Sequence, residues 1–331
     1  MPRRAWSSSR RWPAGLILIV LAGCPRSTHD APPPPPLHVA IDLWPGYYPL
    51  ILAQEKGFLR EEGVEVEVQI PQDTDAMLSD FAAGSYDAVA VALGDVITVT
   101  QRDPAVSVVL VTDESAGGDA LIGRIPLTPE TSLVGMRIGT NLGGFGELFV
   151  REFLARRGVP QDAVELLNVD AAQVPELLAA GKLDAAHTWQ PYLSEAVEAG
   201  HSVWFSSHET PGLIPDTIAF HRQTLEERRA EVRAFLRAWF RALEDWRADF
   251  EGGRELIARR LEVDPDTITL EGIRLLGREE NRRAFDPENP DSLHAVTQRY
   301  VEFFVQRGYL SAPVDPALLL ADSAQLYEEP E

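Results

Sequence analysis

The sequence predicts an α/β protein of two lobes, each built on a doubly wound sheet. Short apolar or alternating segments, typical of strands, take turns along the chain with segments of helical spacing. About 295 residues follow residue 36, which is enough for two domains of ordinary size. A polar, glycine-bearing segment at 113–118 interrupts the pattern. There the chain is expected to cross from one lobe to the other.

Residues 1–23 are predicted to be a lipoprotein signal peptide. Four arginines precede an apolar run at 14–22, which is much shorter than the roughly 20 residues of a membrane-spanning helix. The run ends in Leu21-Ala22-Gly23-Cys24, which resembles a bacterial lipobox and contains the only cysteine of the chain. The resemblance implies that Cys24 is acylated and anchors the protein to a membrane outside the cytoplasm. The export route, general or twin-arginine, stays open.

Residues 24–36 are predicted to be a proline-rich linker. Five consecutive prolines favour an extended polyproline II rod, which would hold a folded body away from a bilayer. The net charge of −21, which becomes −25 without residues 1–23, argues against nucleic acid as a partner. It also argues against electrostatic adsorption to anionic lipid, so the acyl group is the expected membrane anchor. A single cysteine excludes an internal disulfide.

Residues 37–113 are predicted to form the first part of lobe 1. A strand at 37–43, a helix at 48–57 and a strand at 64–70 make a β-α-β opening. Asp73 is a candidate N-cap for a helix that ends at Gly84. The runs at 87–92 and 106–112 are almost purely apolar, as is typical of strands buried on both faces of a parallel sheet.

Residues 114–215 are predicted to form lobe 2, and residues 216–331 the return crossover and the C-terminal helices that complete lobe 1. In lobe 2 we expect strands at 136–140, 164–169 and 184–188 and helices at 145–157, 172–180 and 191–199, each helix followed by a glycine. Helices are expected from 225 onward, with later ones at 266–281 and 292–307. An apolar stripe from Val232 to Trp246 indicates core rather than a cofactor site.

Several segments in order resemble the periplasmic substrate-binding proteins of ABC transporters, of the nitrate/sulfonate/taurine and thiamine-precursor type. The opening is Trp44-Pro45-Gly46-Tyr47-Tyr48-Pro49-Leu50, continued at 53–59 and 63–67, and the later segments are 82–88, 139–143, 181–186, 189–192 and 214–216. The resemblance covers nearly the whole mature chain. It implies a type II periplasmic binding fold, two doubly wound α/β lobes joined by two crossover strands. It also implies a monomer that captures a small-molecule ligand between its lobes and delivers it to an ABC transporter permease, in the periplasm or at the cell surface.

Loops after strands are expected to carry the ligand site, because ligands of open α/β sheets bind beyond the carboxyl ends of the strands. The candidates are Asp42, Trp44, Tyr47, Asp95, Thr112, Asn141, Gly143, Gly144, Trp189 and Asp216. The aromatic residues offer flat stacking surfaces; the alternative for Trp44 and Tyr47 is to cover lobe 1, but their place beside Pro-Gly in a polar turn favours binding. Asp95 either caps a helix or contacts ligand, and Asp216 either braces the crossover or contacts ligand. The N–H groups near Gly143 and Gly144 precede a helix and are suited to an anionic oxygen.

The carboxylates among these candidates, together with Asp113 beside Thr112, bear on the ligand class. Asp42, Asp95, Asp113 and Asp216 fall in loops without lysine or arginine, which disfavours nitrate and bicarbonate. A nitrogen heterocycle such as a pyrimidine precursor, or a zwitterionic aminosulfonate, is favoured. A helix terminus near Gly143 leaves room for an anionic group.

An enzyme is the second hypothesis, because related folds host small-molecule lyases and dehydratases. The sequence has no G-x-S-x-G elbow, no H-E-x-x-H pair and no cysteine nucleophile, and its seven histidines are dispersed. The glycine run at 143–146 lacks the spacing of a dinucleotide site. We therefore expect no catalytic residues, no cofactor and no metal.

Overall fold

The computed structural model describes residues 34–71, 73–320 and 326–327. The predictions for the signal peptide, for Cys24 and for most of the linker lie outside these residues. The described residues from Pro36 onward form one compact unit. None of the helices in the described ranges is long and apolar enough to cross a membrane.

Strands and helices alternate along most of the chain. The strands are β1 (Leu37–Ile41), β2 (Val66–Gln69), β3 (Ala88–Ala92), β4 (Val106–Ser115), β5 (Asp119–Gly123), β6 (Arg137–Thr140), β7 (Glu165–Asn168), β8 (Ala185–Trp189), β9 (Ser202–Ser206), β10 (Pro215–His221) and β11 (Ile273–Leu275). The helices are α1 (Tyr48–Glu55), α2 (Phe58–Glu61), α3 (Thr74–Ala82), α4 (Leu93–Val99), α5 (Phe145–Arg156), α6 (Val174–Ala179), α7 (Tyr192–Glu198), α8 (Arg222–Glu227), α9 (Arg229–Ala248), α10 (Phe250–Leu261), α11 (Arg278–Ala284), α12 (Leu293–Arg307) and α13 (Pro316–Leu319).

The strands form two sheets. The first sheet has the order β11-β4-β10-β3-β1-β2, and the second has the order β7-β6-β8-β5-β9. We call the first sheet with its helices lobe 1, and the second with its helices lobe 2. The chain passes from lobe 1 to lobe 2 between β4 and β5, and it returns between β9 and β10.

The strand that follows each passage runs antiparallel to both of its neighbours. In lobe 1, β10 lies between β3 and β4, and in lobe 2, β5 lies between β8 and β9. A strand that arrives from the other lobe starts at the edge facing that lobe, where the parallel strands end, and must run the opposite way. The prediction that 106–112 lies in a parallel sheet is therefore wrong in its pairing, because both neighbours of β4, β10 and β11, are antiparallel.

The long helix α9 closes the core of lobe 1. Its predicted apolar stripe is buried throughout: Val232, Phe235, Leu236, Trp239, Phe240, Leu243 and Trp246 are at most 3% exposed. The helix packs against α1 and α2 beside the first sheet. The interpretation of these aromatic residues as core is confirmed.

The helix predicted at 266–281 is wrong. A 3₁₀ turn occupies Pro265–Thr267, β11 follows, and α11 begins only at Arg278. Gly272 has a φ of +76°, and a Cβ there would lie 2.3 Å from the backbone nitrogen of Gly118. The carbonyl of Gly272 accepts from the N–H groups of Ala116 and Gly118 at 2.7 and 2.9 Å. This close backbone contact draws the segment into the sheet and overrides its helical spacing.

Other predictions of elements are confirmed within a few residues. The helix α12 matches the prediction for 292–307, and Asp73 accepts a hydrogen bond from the Ala76 N–H as the N-cap of α3. Gly84, Gly158, Gly181 and Gly200 all have positive φ after their helices, as helix-ending glycines require. The sequence pattern did not indicate β5 or β9. Both strands are short, and they pair with each other in the second sheet.

The helix α12 and the residues after it join lobe 1 to α5 of lobe 2. The Tyr309 hydroxyl donates to Glu147 Oε2 at 2.6 Å, and Arg307 Nε lies 3.6 Å from Glu147 Oε1. A second ion pair links Arg299 to Glu152 at 3.2 Å. Burial alone would favour protonated Glu147, but the hydrogen bonds from Tyr309, Gly143 and Arg151 lower the pKa of Glu147 below its ordinary value. A charged, buried carboxylate thus holds the lobes together.

Asn281 completes the hydrogen bonding of β4. Its side chain is fully buried, Oδ1 accepts from the Val111 N–H at 2.8 Å, and Nδ2 donates to the Val111 carbonyl at 2.9 Å. The side chain therefore takes the place of a neighbouring strand where β11 has ended.

Replacing Asn281 by leucine should destabilise the protein by about 2–4 kcal/mol, because two buried backbone groups of Val111 lose their partners. Chemical denaturation would measure the difference. The matched control Gln298→Leu, at an exposed position of α12, should change the free energy of unfolding by less than about 0.5 kcal/mol. Equal stability of Asn281→Leu and wild type would show that β4 does not depend on this side chain.

Candidate functional site

A cavity lies between the two lobes at the carboxyl ends of β1, β3, β6 and β8. Seven of the ten predicted ligand-binding residues line it: Asp42, Trp44, Tyr47, Asp95, Asn141, Trp189 and Asp216. They come from both lobes, since Asn141 follows β6 and Trp189 ends β8 in lobe 2, and the other five belong to lobe 1. We call this space the inner cavity.

The other three predicted residues do not line the inner cavity. Thr112 is fully buried behind it, and its hydroxyl donates to Asp113 Oδ2 at 2.7 Å. Gly143 and Gly144 line a second space of about 330 Å³, which also reaches Asp95, Asn141 and Tyr309. We call this space the outer cavity. Asp95 and Asn141 thus lie where the two cavities meet.

The inner cavity also contains residues that the sequence pattern did not single out, namely Thr74, Ala92, Asp119, Phe145 and Ile214. Asp119 follows Gly117-Gly118 at the predicted crossing, and Phe145 follows the glycine run. Their positions next to those glycines were the available signal. The pairing of β5 with β8, which sets Asp119 opposite Trp189, was not readable from the sequence.

The inner cavity is narrow, with a volume of about 20 Å³. That is room for about one water molecule. A larger ligand does not fit the inner cavity with the lobes in this arrangement.

Two carboxyl groups of lobe 1 face each other at the cavity floor. The register of β10 and β4 places Asp216 opposite Asp113. Trp44 Nε1 donates to Asp113 Oδ1 at 3.0 Å, and the Tyr47 hydroxyl donates to Asp216 Oδ1. A Cβ at Gly46 would lie only 1.8 Å from Asp113 Oδ2, so the turn must carry glycine there. The Trp44-to-Tyr47 turn is therefore folded around this pair.

The pair does not carry two full charges at neutral pH. Burial raises the pKa of Asp113 to about 7, against the opposing effect of the hydrogen bonds from Thr112 and Trp44. Burial and the neighbouring charge of Asp113 raise the pKa of Asp216 well above its ordinary value. Like charges side by side in a low-dielectric site disfavour double ionisation. The two carboxyl groups therefore keep at least one proton between them.

Asp42 and Asp119 each have partners within the protein. Asp42 accepts from the Leu43 N–H at 2.7 Å and from the Thr74 hydroxyl at 2.8 Å, and burial still raises its pKa. Asp119 Oδ1 lies 3.0 Å from Nε2 of His187, and both side chains are almost fully buried. These two carboxyl groups are held in place from opposite lobes.

Asp95 differs from these four. It lies in the first turn of α4 and is only 5% exposed. Its side chain does not cap the helix, so that alternative is wrong. Among the described residues, no group donates a hydrogen bond to its carboxyl. Burial, followed by the charges of Asp42, Asp75 and Asp119, raises the pKa of Asp95 to about 8.

Aromatic side chains form the lobe 2 wall of the inner cavity. The ring centroids of Phe145 and Trp189 are 5.6 Å apart, and those of His187 and Trp189 are 5.8 Å apart. Trp189 is half-buried, whereas Trp44 on the opposite side is 4% exposed. The two predicted stacking residues therefore differ. Trp44 is buried and hydrogen-bonded to Asp113, whereas part of the Trp189 side chain remains exposed.

The predicted anion site near Gly143 is partly filled by the protein itself. The Gly143 N–H donates to Glu147 Oε2 at 3.0 Å. Among the described residues, no lysine or arginine lines the inner cavity. The same residues contain no group of three His, Cys, Asp or Glu side chains placed to hold a metal ion.

Comparison with known proteins identifies the family. The model of the family described as NMT1/THI5 like matches residues 44–251. The chain belongs to the NMT1/THI5-like family. The resemblance to substrate-binding proteins of the nitrate/sulfonate/taurine and thiamine-precursor type is thereby confirmed. A Brucella abortus protein named as a binding protein is 23% identical over 289 residues, which cover 83% of this chain and 86% of that protein.

Solved structures share the fold. The periplasmic aliphatic sulphonate binding protein SsuA from Escherichia coli superposes with a TM-score of 0.70 at 17% identity, over 89% of this chain and 99% of that one. The desulfurization enzyme DSZB superposes with a TM-score of 0.63 at 17% identity, over 88% and 98%. The protein has the predicted type II periplasmic binding fold of two α/β lobes. The fold alone does not separate binding from catalysis, because both occur on it.

Replacing Asp95 by asparagine should stabilise the empty protein at high pH. A raised pKa means that folding takes up a proton between pH 3.8 and about 8, so the wild type loses stability as the pH rises through that range. Asparagine removes this loss. The variant should be more stable than wild type by about 1–3 kcal/mol at pH 8.5, with little difference at pH 4, in denaturant unfolding at both pH values.

The control for this prediction is Asp80→Asn, an equal charge change at an exposed position of α3. Its stability difference from wild type should be the same at both pH values. If Asp95→Asn shows no gain at pH 8.5, then Asp95 is not held in the buried setting described.

Proposed function

We propose that this protein is an extracytoplasmic, lipid-anchored solute-binding protein that delivers a small polar nitrogen- or sulfur-containing organic molecule to an ABC importer. In this proposal residues 1–23 are the signal peptide, 24–36 the linker, 37–113 and 216–331 lobe 1, and 114–215 lobe 2. The protein acts as a monomer, and its partners are the solute, the permease and the membrane that holds the acyl group.

One observation carries the proposal: polar and aromatic side chains of both lobes converge on a single space too small for a solute. Asp95 and Asp216 reach it from lobe 1, and Asp119 and Trp189 reach it from lobe 2. A solute held by both lobes favours the closed form over the open one by the difference in its affinity for the two. A transporter that recognises only the closed form would then distinguish the loaded protein from the empty one.

The proposed ligand-binding residues are the seven predicted residues that line the inner cavity, together with Gly143 and Gly144 at the outer cavity. Thr112 acts through Asp113, because its hydroxyl donates to that carboxyl. The sulphonate named for SsuA supports the size and polarity of the solute, while the carboxylates of this cavity require it to offer hydrogen-bond donors.

The second candidate function is an exported small-molecule enzyme. It is favoured by one finding, the shared fold of the desulfurization enzyme DSZB. The inner cavity offers an acid–base group in Asp216, with Asp113 directly behind it, but the only cysteine of the chain, Cys24, lies at the start of the linker. We therefore rank capture and release above turnover.

Recovery of the bound solute tests the two functions against each other. The mature protein should be purified, denatured and extracted, and the released molecules identified by mass spectrometry and added back to refolded protein. Binding predicts a rise in melting temperature, contraction in X-ray scattering and recovery of the solute unchanged. Trp189→Ala should weaken its binding about ten- to a hundredfold. Conversion of the solute into a product would instead establish the enzyme.

The lipid anchor is tested by Cys24→Ser in cells that express the full chain. Without the thiol no acyl group can be attached, so the protein should move from the membrane fraction to the soluble fraction of the cell envelope. Fractionation and labelling with a fatty-acid analogue would measure this. Unchanged membrane partitioning of the variant would contradict the anchor, and unchanged solute affinity would show that the folded body is intact.

A further inference from the structure

We propose that the inner cavity takes a small organic cation with at least one N–H donor, and that Asp95 pairs with its charge. The inference rests on the proposed solute-binding function and names the substrate class for the same site.

The first support is the charge of the lining. Asp42, Asp95, Asp119 and Asp216 all reach the inner cavity, Asp113 lies directly behind it, and none of the described lining residues is lysine or arginine. An anion enclosed here would meet no opposite charge from a side chain, and burial of an uncompensated charge is costly. A cation relieves the mutual repulsion of the carboxylates.

The second support is an accounting of hydrogen bonds. Asp42, Asp113, Asp119 and Asp216 each have a partner from a backbone N–H, a hydroxyl, an indole or an imidazole. Asp95 has none within the described residues, although it is more than nine-tenths buried and lines the cavity. Buried polar groups in proteins are almost always bonded. A donor from the solute would supply the missing partner.

The third support is the position of Asp95 between the inner and the outer cavity. Asp95 and Asn141 line both cavities, and a Cβ at Gly144 would lie 3.0 Å from Asp95 Oδ1 and 3.2 Å from Asn141 Oδ1. Asp95 belongs to lobe 1, and Gly144 and Asn141 belong to lobe 2. The two lobes therefore meet at this carboxyl, which faces both cavities.

The fourth support is the aromatic wall. Trp189 and Phe145 lie across the cavity from lobe 1, and Trp189 keeps exposed surface. An aromatic face within about 6 Å attracts a cation through its quadrupole and stacks on a flat ring. A ring that carries an ammonium group satisfies both features at once.

A protonated Asp95 is the competing account. Its raised pKa allows a neutral carboxyl at neutral pH, which would donate one hydrogen bond to an anionic or neutral solute. The two accounts differ in the charge of the preferred solute and in the effect of Asp95→Asn, because asparagine retains donors but cannot pair with a cation.

Three compounds that share one ring and differ in charge test the proposal: benzylamine, benzyl alcohol and benzenesulfonate. Calorimetric titration of the mature protein at pH 7.5 should show benzylamine binding at least about tenfold more tightly than the other two. Asp95→Asn should weaken benzylamine by at least about tenfold and leave benzyl alcohol within about twofold. The exposed control Asp80→Asn should change none of the three by more than about twofold.

Each other outcome overturns the inference. If benzenesulfonate or benzyl alcohol binds more tightly than benzylamine, the cation assignment is wrong and the solute-binding function stands. If benzylamine binds but Asp95→Asn does not weaken it, Asp95 is not the partner. If no compound binds, the substrate class is wrong. Recovery of the natural solute decides the proposed function independently.

Discussion

The architecture depends on the two passages of the chain between the lobes. Each passage leads into a strand that starts at the edge of its sheet facing the other lobe. That strand, β5 or β10, runs antiparallel between two strands of the sheet. Asp216 at the start of β10 therefore lies beside Asp113 near the end of β4, and Asp119 at the start of β5 lies opposite Trp189 at the end of β8. The same strands that join the lobes thus supply polar groups to the space between them.

Placing these carboxyl groups in one narrow space has an energetic cost. Burial raises the pKa of Asp42, Asp95, Asp113 and Asp216, so the closed protein without a solute holds protons that water would remove. Hydrogen bonds from Trp44, Tyr47, Thr74 and Thr112 offset part of this cost for three of them. Among the described residues, no group donates such a hydrogen bond to the carboxyl of Asp95. Residues of a binding site often lower the stability of the protein, and the setting of Asp95 in the proposed site follows that pattern.

Much of the fold was predictable because its signals are local. Glycines with positive φ mark helix ends, Asp73 caps α3, and the buried stripe of α9 follows helical spacing. The wrong predictions of elements result from contacts between segments that are distant in sequence. Gly272 packs against Gly118 and turns a predicted helix into β11, and β10 separates β3 from β4, an order that the residue patterns of these three strands do not specify.

The predictions for the site divide in the same way, between what local sequence signals indicate and what the folded structure decides. Most of the predicted residues lie at one edge of the sheets, as expected from a rule that needs only strand order, but Thr112, Trp189 and Asp216 belong to the strands themselves rather than to loops after them. Thr112 was predicted to contact ligand, yet its hydroxyl instead donates a hydrogen bond to the carboxyl of Asp113. Sequence alone could not show this, nor that Glu147 already accepts the Gly143 N–H. Both facts depend on side-chain direction.

A crystal structure of the mature protein with benzylamine would test the account most directly. The account predicts the ring against Trp189 between the closed lobes and the ammonium nitrogen about 3 Å from a carboxylate oxygen of Asp95. An ammonium group directed away from Asp95, or a compound bound outside the space between the lobes, would contradict it.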